Sequence, residues 1–75
     1  MTKAERRLCD WQYNRAGSFV TALFSAISKA DLHNRDRLSE AYPAEVEAYV
    51  NLTRTPGWWD NLEAEYLGQK VGVEK

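Results

Sequence analysis

Cysteine and histidine each occur once, as Cys9 and His33, in a chain of 75 residues. A lone cysteine excludes an intrachain disulfide, and the pair falls short of the four Cys/His ligands that a structural zinc site takes. The four glycines are scattered, so no phosphate-cradling run exists, and nothing resembles an EF-hand loop. No apolar run approaches the ~18–20 residues needed to span a bilayer. Met1–Arg7 does not lead into the apolar stretch of a secretory signal, so a cytoplasmic location is expected. Strand-like alternation and internal repeats are missing too. Neither metal nor cofactor is expected.

What is present has globular composition, with 44% hydrophobic and 28% charged residues, and the length allows one domain. Below about 70–80 residues a single core usually needs a disulfide, a metal or a partner copy. Self-association is the remaining option, so a homo-oligomer is expected. The net charge of −1 argues against direct binding of duplex nucleic acid. Its distribution is uneven. Residues 1–30 carry Lys3, Arg6, Arg7, Arg15 and Lys29 against Glu5 and Asp10, a positive surplus of three. Residues 31–67 carry eight carboxylates against Arg35, Arg37 and Arg54, a negative surplus of five.

Thr2 and Glu5 have the spacing of a capping box, which starts a helix at the N-terminus. From there Leu8, Cys9, Trp11, Tyr13, Ala16, Phe19, Val20, Ala22, Leu23, Phe24, Ala26, Ile27 and Ala30 fall in one wedge of helical phase. That wedge is roughly 220° wide, against roughly 100° for an ordinary surface helix. The preserved phase predicts one long helix to Ala30. A break at Gly17, with Ser18 capping a second helix, is the alternative. Asp31 caps a short helix from Leu32 to about Ala41. Tyr42 is turned out of helical geometry by Pro43, which itself suits the first turn of the next helix. There Val46, Tyr49, Val50 and Thr53 form one row and Ala44, Ala48 and Leu52 another. Thr55 and Pro56 then cap and begin a last helix that Gly68 stops. In it Trp59, Leu62 and Tyr66 share a face, so Trp59 is assigned to the core and the neighbouring Trp58 to the surface. The expectation is an all-α bundle of three to four helices with a long N-terminal helix. Residues 1–68 form the single domain, and 69–75 a flexible tail.

Catalytic chemistry finds little here. Cys9 lies in the apolar wedge, where a thiol stays protonated. His33 could reach only Asp36, with no nucleophile beside it. The protein is therefore read as a non-enzyme. Two binding surfaces remain. One is acidic and aromatic, formed by Trp58, Asp60, Glu63, Glu45 and Glu47, and would suit a basic cleft on another protein. The other would hold a small nucleotide, with Arg6, Arg7 and Arg15 on phosphate and Trp11 stacked on the base.

The run from Phe19 to Trp59 carries an aromatic–aliphatic helix, then Lys29-Ala30-Asp31. Tyr42-Pro43-Ala44-Glu45-Val46-Glu47-Ala48 and a closing Gly57-Trp58 follow. In this it resembles small helical proteins encoded by phages and prophages. The resemblance implies a mobile-element setting in which small proteins disable a host defence by binding, and it assigns no functional residue. The expectation is a phage-type interaction protein that inhibits a host defence or nucleic-acid-handling protein through the acidic, aromatic surface. A nucleotide-sequestering helical oligomer, or a minor structural component of a phage, is the alternative.

Overall fold

The protein is described by a computed structural model over residues 1–71, with side chains to Gly68. Five helices account for this span: α1 (Lys3–Gln12), α2 (Ser18–Lys29), α3 (Leu32–Ala41), α4 (Pro43–Arg54) and α5 (Trp58–Val71). No strand occurs among the described residues, so the all-α class holds. The count of three to four helices does not, because the expected long N-terminal helix is two helices.

α1 begins as its sequence dictates. The Glu5 amide donates to Thr2 Oγ1 at 3.1 Å, and the Thr2 amide donates to Glu5 Oε1 at 2.8 Å. Its end comes at a signal that the unbroken apolar phase conceals. Asn14 takes φ +58°, the Arg15 amide donates to the Asp10 carbonyl at 2.7 Å, and the Asn14 amide donates to that of Trp11 at 3.1 Å. This pair of bonds closes a helix with a left-handed residue just past the cap, and asparagine is the residue after glycine that tolerates that conformation. Gly17, in extended backbone, then serves as the N-cap of α2. Ser18 is the first helical residue rather than the cap.

Asp31 caps α3 through its Oδ1, which accepts the Asn34 amide at 2.8 Å, and Pro43 occupies the first turn of α4. Both follow the sequence expectation. The α4–α5 junction departs from it. Thr55-Pro56-Gly57 forms a turn, closed by the Trp58 amide on the Thr55 carbonyl at 3.1 Å, with Gly57 at φ +81°. Proline followed by a positive-φ glycine is the residue pair such a turn requires, so the helix starts at Trp58 and not at Pro56. At its other end α5 passes through Gly68 to Val71, since one glycine weakens a helix by about 1 kcal/mol without removing a hydrogen bond. The first residues of the expected tail, 69–71, are thus helical in backbone, and 72–75 lie outside the described residues.

α4 is the hub of the packing, touching α1, α2, α3 and α5. Around it Leu8, Cys9, Leu23, Phe24, Ile27, Val46, Ala48, Leu62 and Tyr66 form the core. Trp58 and Trp59 are both half-buried and both rest on this cluster. The division into a core ring and a spare ring is corrected accordingly. Residues about 100° apart can straddle one contact line, each burying one side.

Candidate interaction surface

The residues of the acidic surface are dispersed by the fold. Glu45, on α4, is only 7% exposed and accepts from Arg7 Nη1 on α1 at 2.7 Å. Glu63, on α5, is half-buried and accepts the Tyr13 hydroxyl. Glu47 and Asp60 are exposed but in different places. Glu47 lines a groove between α1 and α4 with Thr2, Glu5 and Asn51, whereas Asp60 borders the α4–α5 turn beside Trp59 and Arg54. Elsewhere on α5, Glu65 pairs with the Met1 ammonium at 2.9 Å. Among the described residues Glu45 and Glu65 thus pair with cations of the same chain, and Glu63 takes a phenol.

The nucleotide-type residues are likewise engaged one by one. Trp11 stacks on Phe24 with ring centroids 5.3 Å apart and leans on Tyr49 at 6.3 Å. Arg7 holds Glu45. Arg15 lies over the Tyr13 ring at 5.7 Å, and Arg6 is exposed on α1. Tyr13 in turn stacks on Tyr66 at 5.5 Å, and the Tyr66 hydroxyl donates to Asp10 Oδ1 at 2.7 Å. This cluster ties the α1–α2 turn to α5. Its chemistry is that of an anchor. Acceptance by the Glu63 carboxylate holds the Tyr13 phenol above its ordinary range. Burial, then the Asp10 carboxylate, does the same for Tyr66. Neither phenol is prepared to lose its proton.

Cys9 is fully buried, and desolvation followed by the Asp10 charge pushes its thiol up to about 11. It is unsuited to act as a nucleophile at neutral pH. His33 is exposed and accepts from Arg37 Nε at 3.2 Å. Among the described residues no cluster of three or more Cys, His, Asp and Glu side chains could hold a metal ion, and no helix is long and apolar enough to cross a membrane.

The surface that does stand out lies on α2 and α3, away from both surfaces that the sequence pattern marks. α3 buries none of its residues and leaves Leu32 75% exposed. α2 buries Leu23, Phe24 and Ile27 on one side and leaves Phe19, Ala22 and Ala26 exposed on another. Phe19, 60% exposed, tilts against Tyr42 with centroids 6.0 Å apart, at the end where α3 finishes. At the opposite end the helices enclose an open groove of about 450 Å³ lined by Ala26, Lys29, Ala30, Asn34, Arg37 and Leu38. The signal for it was the width of the apolar wedge. Phe19, Ala22 and Ala26 are the part that the chain's other helices leave exposed, with Ala30 half-buried at the end of the row.

Arg35 secures this hairpin from beneath. Its guanidinium lies over the Tyr49 ring at 5.6 Å, and Nη2 donates to the Ile27 carbonyl at 3.4 Å, near the C-terminal end of α2. Cation and helix terminus are complementary there.

Comparison with protein families, with curated proteins and with solved structures gives no match to this chain.

Proposed function

We propose that the protein acts by binding another protein, without catalysis of its own, and that the α2–α3 hairpin is the docking face. One observation carries the reading: a helix with no buried residue sits beside a helix with a second, exposed apolar stripe, and Phe19 heads that stripe. In a chain this short, apolar side chains gain most by burial in the core, so a face left out of it is better used in a complex. The inert thiol of Cys9 is in keeping with a role outside chemistry. The phage-type resemblance makes a host defence or nucleic-acid-handling protein the proposed target class. The hairpin replaces the acidic, aromatic surface in this reading because Glu45 and Glu63 are committed to Arg7 and Tyr13.

Photo-crosslinking tests it. Benzoylphenylalanine is placed at Phe19, 60% exposed on the stripe, or at Asp60, and the protein is made in its native cells. A crosslink to a distinct protein from position 19 supports the hairpin. A crosslink from position 60 alone moves docking to the acidic side, and none from either removes the reading.

A further inference from the structure

The groove between α2 and α3 has a definite chemical character. Its apolar wall is made of Ala26, Ala30 and Leu38, and both charged residues lining it, Lys29 and Arg37, are cationic. Neither takes part in an ion pair among the described residues; Arg37 donates Nε to His33 Nε2. The carboxylates of α3, Asp36 and Glu40, are exposed but do not line the groove. The position of Lys29 in the last turn of α2 is favoured by the helix dipole. That explanation does not extend to Arg37, which stands mid-helix.

From Ala30 the open apolar stripe continues through Ala26 and Ala22 to the Phe19 ring. Eleven residues of helix advance about 16 Å, the length of three turns of a helix laid alongside. The small side chains at 22, 26 and 30 let a second backbone approach, and Phe19 closes the far end.

We infer that this groove receives an acidic amphipathic helix from the partner protein, its apolar side chains against Ala26, Ala30 and Leu38 and its flanking carboxylates on Lys29 and Arg37. The inference rests on the hairpin being the docking face. It specifies the chemistry of what docks there. Carboxylates over two unpaired cations with an apolar floor between them give both register and selectivity against basic helices. The selectivity is local, because the whole chain carries a net charge of −1 and offers acidic ligands no general attraction.

The probe is a labelled, end-capped helical peptide with leucines at i, i+3 and i+7 and glutamates flanking them. Its twin carries lysine at every glutamate. In fluorescence anisotropy at low salt, the glutamate peptide binds at least about tenfold more tightly than the twin, and salt narrows the gap. K29E/R37E reverses the preference. Both positions are exposed, and far-UV circular dichroism checks that the variant stays helical. Equal binding of the two peptides, or a preference unmoved by K29E/R37E, overturns the inference. So does concentration-dependent self-association that Ala26→Phe abolishes, which would give the groove to a second copy of this chain. Crosslinking from position 19 that persists while the peptide preference fails leaves the docking face standing and removes only the acidic helix.

Discussion

The Trp11 and Phe24 rings lie stacked, centroids 5.3 Å apart and planes inclined by 16°. In one continuous helix these positions would be separated by about 20 Å along the axis. Their contact therefore records the reversal at Asn14–Gly17, which folds α2 back along α1. Both rings come from the single apolar wedge of the N-terminal third. The fold breaks that wedge in two and turns the halves on each other.

Asn14 should be the residue on which that reversal depends. Asn14→Gly preserves the left-handed turn and leaves stability within about 1 kcal/mol of the parent. Asn14→Val forces a β-branched side chain to φ +58° and costs about 1–2 kcal/mol. Urea denaturation of the two variants measures the difference. Equal midpoints would mean that the turn is set elsewhere.

Arg7 and Glu45 form an asymmetric pair, with the Arg7 side chain 44% exposed and that of Glu45 9%. Removing the arginine alone strands a buried carboxylate, whereas replacing both partners does not. Arg7→Met is expected to cost about 1–2 kcal/mol, reduced from the value for a fully buried pair because solvent reaches the guanidinium. The double variant Arg7→Met/Glu45→Gln should recover part of that loss. A double-mutant cycle by chemical denaturation gives the coupling.

Alkaline pH should destabilise the fold. The Cys9 thiol ionises near 9.0 when unfolded and near 11 when folded, so between these values the unfolded chain has lost a proton that the native state keeps. Stability is full below pH 9 and falls by about 1.4 kcal/mol per pH unit across this window. Tyr13 and Tyr66 are raised in the same direction and extend the loss upward from about pH 10. Cys9→Ala should flatten the first part of the curve, read as Tm against pH. The native thiol should also resist Ellman's reagent at pH 8.

Trp58→Ala and Trp59→Ala should cost similar amounts, about 1–3 kcal/mol each, because both rings are half-buried on the core. The sequence pattern alone would have made the first substitution nearly free. Thermal melts of the two variants decide between these expectations.

Local signals were legible where neighbours within four residues settle the outcome. Thr2 with Glu5, Asp31 and Pro43 each mark a helix start in sequence and in structure. Asn14 was legible in principle as a left-handed cap, but the hydrophobic phase runs through it unbroken. Phase reports which residues want burial and says nothing of whether the axis continues. In sequence Thr55-Pro56-Gly57 marks a junction and reads as the helix start, because proline suits both a first turn and a β-turn. Only the positive φ of Gly57 distinguishes them. The assignment of Trp58 and Trp59 failed because a helix's contact line is set by its neighbours.

By itself the amino-acid sequence determined that this chain is helical, where most helices begin, and that its first third holds more apolar surface than one face can hide. Those properties depend on side chains acting on the backbone a turn away. Tertiary structure decided which part of that surface is hidden. Tyr66 reaches Asp10 across 56 residues, Arg7 reaches Glu45 across 38, and α4 covers one side of α2 while leaving Phe19, Ala22 and Ala26 open. Burial follows from where distant helices come to rest, and that depends on the packing of the whole chain.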